Sequence, residues 1–227
     1  MRTLFKRIKT LVSKLRASGF FHVFGSTVIN KIVVFASGLI LVRILSKAEY
    51  GVYTYANNIY GFFVIATGFS MTTAVLQCCS ESIDEQKKAR LFAEATKIAI
   101  GFNILLSIAI VIVSTFIALP IEGANGLLLA MAPLPIISII PGLQRTYFRT
   151  ELKNKEYSYS TTLTTILTYS FAYILSLCFG SYGLVFSHYV SGIVMILVLS
   201  FIWKVKVNLR SERCSRDEKK SLISIAG

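Results

Sequence analysis

The amino-acid sequence predicts an all-α, polytopic membrane protein built on six transmembrane helices, and three observations predict it. Six apolar runs, Phe20 to Val42, Val52 to Leu76, Ile98 to Leu119, Leu127 to Leu143, Ser160 to Phe179 and Leu184 to Trp203, each approach the ~20 residues that a helix needs to cross a bilayer. The composition, 54% apolar with only 15% charged residues, leaves too little polar surface to wet a soluble domain. The basic residues are also one-sided. Of the 24 Lys and Arg, 21 lie before the first run or in the segments 87–97, 145–155 and 204–220, which share one side if the chain crosses six times. That asymmetry places the N-terminus in the cytoplasm. The net charge of +13 is then accounted for by topology and by contact with anionic head groups. It is split among four short segments between apolar spans, which excludes a nucleic-acid surface as its explanation.

Residues 1–18 precede the membrane as a distinct element. Leu4, Ile8, Leu11 and Leu15 recur at helical spacing, with Arg2, Lys6, Arg7, Lys9, Lys14 and Arg16 around them, as in a basic helix lying in the interface. The following apolar run is too long for the core of a secretory signal and lacks a small-residue cleavage pattern, so this segment is expected to be retained. Residues 19–203 form the six-helix bundle. The outer connections, 46–51, 120–126 and 180–183, are too short for an extracytoplasmic domain. Residues 77–97, with Glu81, Asp84 and Glu85 before Lys87, Lys88 and Arg90, read as a solvated helical elbow. Pro133, Pro135 and Pro141 must kink or break the fourth span. In the fifth, Thr161, Thr162, Thr164, Thr165 and Thr168 offer hydroxyls that usually bond back to a helix. Asn103, His22 and His188 belong to no motif, and a packing role is expected for His188. Residues 204–220 read as a basic cytoplasmic linker, and 221–227 as the start of a seventh apolar span of a longer protein.

The four cysteines have no disulfide or metal-site spacing. Cys78, Cys79 and Cys214 fall in cytoplasmic segments and Cys178 in the fifth span, as free thiols in a reducing compartment would. No metal, cofactor or catalytic residue is expected.

The stretch Leu41-Val42-Arg43-Ile44-Leu45-Ser46-Lys47-Ala48-Glu49-Tyr50-Gly51-Val52-Tyr53, the run Tyr147-Phe148-Arg149-Thr150-Glu151 through Tyr157, and the Gly180-Ser181-Tyr182-Gly183 turn resemble the bacterial polysaccharide and O-antigen flippases of the multidrug/oligosaccharidyl-lipid/polysaccharide exporter superfamily. The order and spacing of these elements carry the resemblance, which covers essentially the whole chain. It implies the N-terminal lobe of a two-lobed transporter of 12–14 helices in the bacterial inner membrane, moving an oligosaccharide linked to undecaprenyl diphosphate. The partners it implies are that lipid-linked oligosaccharide, membrane lipids and other polysaccharide-assembly proteins. A multidrug or cation exporter of the same superfamily is the alternative. An enzyme or scaffold of polysaccharide assembly is a weaker one, since no long outer loop or acidic metal-binding stretch is present.

The residues themselves nominate a binding site. Lys31 is midway along the first span, about 16 Å from either end at ~1.5 Å per residue, and cannot reach a head group easily. A charge at that depth costs about 2.5 to 3.5 kcal/mol on insertion scales and normally faces a cavity or a partner. Asn30 beside it, with Asn57 and Asn58 on the second span, can hydrate such a cavity, and Arg43 at the outer mouth is a second cation. No Asp or Glu lies in the middle of any span. A lobe with cations and no embedded carboxylate suits an anionic cargo, because Lys and Arg make charge-assisted hydrogen bonds to phosphate oxygens.

Overall fold

In the computed structural model, residues 19–81, 84–205 and 214–226 are described; the interfacial helix expected over 1–18 lies outside them. Among the described residues the chain is helical throughout. Its helices are α1 (Phe20–Ile44), α2 (Lys47–Ile65), α3 (Met71–Glu81), α4 (Glu85–Phe116), α5 (Ala124–Met131), α6 (Leu134–Thr150), α7 (Asn154–Phe179), α8 (Ser181–Leu197) and α9 (Arg216–Ala226). A 3₁₀ turn, Thr67–Ser70, joins α2 to α3, and a π-helical turn, Val198–Ile202, continues α8.

Among the described residues, five stretches are long and apolar enough to cross a membrane: α1, α4, α5 with α6, α7, and α8 with its π turn. The second expected span, Val52 to Leu76, is instead two helices. Gly68 has φ +70° and Ser70 φ +51°, both outside the α region, so the chain turns between α2 and α3. The fourth span is broken as the prolines require. Pro133 has no N–H to continue the α5 hydrogen bonding, and α6 restarts with Pro133 and Pro135 at its N-terminus; Pro141 is accommodated inside α6.

One buried side chain fastens the two breaks together. Asn103 of α4, fully buried, accepts the Gly68 N–H at 2.7 Å and donates to the Pro135 carbonyl at 2.7 Å. Irregular backbone at membrane depth must find such partners, because no water is there to supply them.

The bundle keeps apolar side chains on its outer surface as well as in its core, and buries several polar ones among the latter. Ser160 and Asn103 are fully buried, with Thr168, Ser187 and Ser191 nearly so, whereas Phe35, Phe62, Ile65 and Phe116 are 70–84% exposed. A water-soluble fold does not expose so many large apolar side chains; a hydrocarbon surround favours their exposure. The molecule is a multi-pass membrane protein.

The two ends differ in charge. At one end Lys88, at the start of α4, bridges Glu85 and Glu151, both at 2.9 Å, and Lys219 of α9 pairs with Glu94 at 2.7 Å. Gly19 also meets Asn154 there. At the other end Glu49 meets Gly180, Val52 meets Gly123, and Tyr182 meets Gly126. The boundary expected at residue 220 falls inside α9, which is one helix over 216–226 with Leu222 buried in the core formed by Met71, Val75, Cys79 and Leu91.

Helix packing determines what remains open. α7 is sandwiched between α1 and α8, while α2 packs on α5 and α8. Only a two-residue turn, Leu45–Ser46, joins α1 to α2, yet the two helices rest on different neighbours.

Candidate cation-lined cavity

Four stripes at helical spacing converge on one cavity of about 160 Å³ between α2, α6, α7 and α8. They are Tyr53, Asn57 and Tyr60 on α2; Leu134, Ile137, Ser138, Pro141 and Arg145 on α6; Thr164 and Thr168 on α7; and Val185, His188, Ser191, Gly192 and Met195 on α8. Gly192 has a packing reason, since a Cβ there would press on the Ile137 side chain. The volume is several times the ~30 Å³ share of one water, and the polar groups are spaced along its wall.

Arg145 carries the cavity's fixed charge. Its guanidinium donates to the Thr164 hydroxyl at 2.9 Å, and that hydroxyl donates in turn to the Ser160 carbonyl of its own helix. One turn along α7, Thr168 donates to the Ser191 hydroxyl of α8 at 2.8 Å. No carboxylate lines the cavity, and Arg145 has no ion pair among the described residues. A guanidinium has five N–H donors, so one neutral hydroxyl leaves most of them for another acceptor.

Of the five residues nominated by the sequence, only Asn57 lines this cavity. Lys31 is exposed on α1 about a third of a turn from the face that packs on α7, Asn30 is half-buried with its Oδ1 lacking a hydrogen-bond partner, and Arg43 and Asn58 are exposed. The structure therefore does not gather these five at one point. The fourth apolar run ends at Leu143, which by sequence alone places Arg145 among the loop cations. The helix continues to Thr150, and Ser138, Pro141 and Arg145 fall on one face at i, i+3 and i+7. That spacing was the available signal. The pairing of Thr164 with Arg145 had none, because helix neighbours in space cannot be read from one sequence. His188, for which packing was expected, is an exposed member of the cavity wall.

The cysteines take no part. Cys79 is buried between α3 and α4, and desolvation there pushes its thiol up to about 12, leaving it a protonated packing side chain.

Two solved structures have the same fold. One is an outward-facing conformation of a multidrug resistance MATE family transporter of the MOP superfamily, with TM-score 0.61 and 16% identity over 90% of this chain and 50% of that one. The other is a MOP superfamily transporter from Pyrococcus furiosus, described as having reversed polarity in its binding pocket and, by suggestion, a different function; the TM-score is 0.62 and the identity 16%, over 92% of this chain and 50% of that one. The chain thus spans about half the length of each. No curated protein matches the sequence. The model of the polysaccharide biosynthesis protein family matches residues 40–226, from the end of α1 to the end of α9, and the chain belongs to that family.

Proposed function

We propose that the protein is an exporter, not an enzyme, that moves an oligosaccharide carried on undecaprenyl diphosphate across the bacterial inner membrane for assembly of O-antigen, capsule or exopolysaccharide. The N-terminus is cytoplasmic on this reading, and the basic end of the bundle faces the anionic inner leaflet. One observation carries it: the Arg145 guanidinium, which has no ion pair among the described residues, lines a cavity with no carboxylate in its wall. Such a cavity attracts an anion and repels a cation, and a phosphate oxygen is the acceptor a guanidinium fork fits best. Membership of the polysaccharide biosynthesis family supports a sugar-bearing cargo. A drug or cation exporter of the same superfamily is the second reading, and a carboxylate in the cavity wall would favour it; none lines the cavity among the described residues.

Within the site Arg145 holds the phosphate, while Asn57, Tyr53 and Tyr60 line the same space with polar atoms and rings suited to a sugar. Lys31 and Arg43, exposed on α1 outside the cavity, are proposed as further contacts for the anion as it approaches, with Asn30 and Asn58 as polar neighbours.

The test is export by Arg145→Gln in cells whose surface polysaccharide depends on this protein. Loss of one charge-assisted contact, ~1.5 to 3 kcal/mol, lowers outer-leaflet repeat units by about ten-fold or more at equal membrane abundance, and Arg145→Lys retains part of the activity. Unchanged normalised export in Arg145→Gln sinks the assignment.

A further inference from the structure

The cavity holds a second group that can carry positive charge, placed away from the first. Arg145 reaches α7 at Thr164, whereas Ser191 of α8 meets α7 one turn on, at Thr168. His188 lies three residues before Ser191 on the antiparallel α8, hence further from Thr164. At ~1.5 Å per residue, four residues on α7 and three on α8 separate the two levels by about 10 Å along the bundle. A single phosphate does not span that gap. Two phosphates in a row, each hydrogen-bonded at its outer end, come close to doing so.

The surroundings of His188 make its charge depend on the ligand. Sharing the cavity wall with it are Tyr53, Asn57 and Tyr60 on α2, Met131 on α5, Leu134, Ile137, Ser138 and Arg145 on α6, and Thr164 and Thr168 on α7. On α8 itself Tyr189 turns aside to donate to the Ala130 carbonyl. The only fixed charge in that list is the Arg145 cation, and no hydrogen bond holds the imidazole ring among the described residues. An anion lying between the two side chains favours the imidazolium, as any close opposite charge does.

We propose that His188 is the second anchor of a diphosphate bridging from Arg145, and that anion binding and proton uptake by His188 are coupled. This rests on the anionic-cargo reading above and adds to it the orientation of the diphosphate and a pH dependence. By reciprocity, if protonation strengthens binding by a given factor, the bound anion favours protonation by the same factor.

Farnesyl diphosphate is a suitable probe, measured by titration calorimetry on the full chain in detergent between pH 6 and pH 8.5. Dividing wild-type affinity by that of His188→Gln at each pH cancels the titration of the probe itself. The expected ratio is about ten-fold at pH 6 and falls towards one at pH 8.5, while His188→Lys binds tightly across the range. A ratio that does not vary with pH overturns the coupling, and leaves the anionic cargo standing if Arg145→Gln still abolishes binding. A wild-type protein that does not bind the probe, or binds it equally well as Arg145→Gln, removes both. Should the His188 variants fail to fold, the wild-type protein decides. It has two histidines, His22 and His188, so His22→Gln leaves one imidazole to follow by NMR. Its titration moves to higher pH on adding farnesyl diphosphate if the coupling holds, and stays in place if it does not.

Discussion

Asn103 and Arg145 show how single polar residues act at depth in this bundle. Asn103 satisfies a backbone donor and a backbone acceptor that two separate helix breaks leave open. Asn103→Leu keeps the volume and strands the Gly68 N–H in an apolar interior, at a cost of about 1 to 3 kcal/mol. Thermal unfolding in detergent checks this: the midpoint of Asn103→Leu falls clearly, that of Asn103→Asp falls less because an acceptor for Gly68 remains, and an unchanged midpoint for both would refute the fastening role. Arg145 differs in kind, since the Thr164 hydroxyl it donates to is neutral, and its replacement is expected to alter cargo handling more than folding. Lys31 allows a comparison between the two. Exposed on α1, it is expected to tolerate Ala without loss of membrane abundance, because removing a costly charge from the span does not weaken insertion.

At the scale of the element, the turn between α1 and α2 is defined by a capping box. The Ser46 hydroxyl accepts the Glu49 N–H at 3.2 Å, and the Glu49 carboxylate accepts the Ser46 N–H at 3.0 Å and its hydroxyl at 2.8 Å. The Ser46 hydrogen bonds hold the Glu49 carboxyl below its ordinary value of 4.5. A carboxyl lowered in the folded state adds stability above its unfolded value and loses it as pH falls through the folded one. Acid unfolding below about pH 4.5 is therefore expected to be less steep in Glu49→Gln than in the wild type, and equal steepness would show the box to be inert. Ser46→Ala at neutral pH costs about 1 kcal/mol. The α7–α8 hairpin depends on glycine for a different reason. Gly180 has φ +56° and ψ −134°, a conformation closed to residues with a Cβ, and a Cβ on Gly183 would fall on the backbone of Leu175 and Ser176. Gly183→Ala should prise α8 from α7 and lower the amount of folded protein recovered from membranes, whereas Gly61→Ala, where a Cβ meets open space, should not.

For the whole molecule, the grouping of loops at two ends of the bundle agrees with the distribution of charge. Reporter fusions after Lys155 and after Lys220 are expected to show cytoplasmic activity, and a fusion after Glu122 periplasmic activity; a periplasmic signal at either lysine would overturn the orientation. The apolar exterior also explains why α1 can rest chiefly on α7, with phenylalanines along its free side. In hydrocarbon those side chains carry no penalty for remaining uncovered.

The number of apolar runs, the charged end and the prolines of the fourth span were all legible from the residues, because each depends on neighbours within a few positions or on a count along the chain. The break at Gly68 was hidden inside an apolar run. A glycine in such a run is compatible with a continuous helix until a partner such as Asn103, 35 residues away, stabilises the alternative. Lys31 could be placed at mid-depth from its sequence position, but not on a face, since what a helix packs against is decided by the other helices. The same limit hid the cavity. Asn57, Arg145, Thr164 and His188 come from four helices, and only their packing brings one cation, one imidazole and several hydroxyls to a common space from which carboxylates are absent.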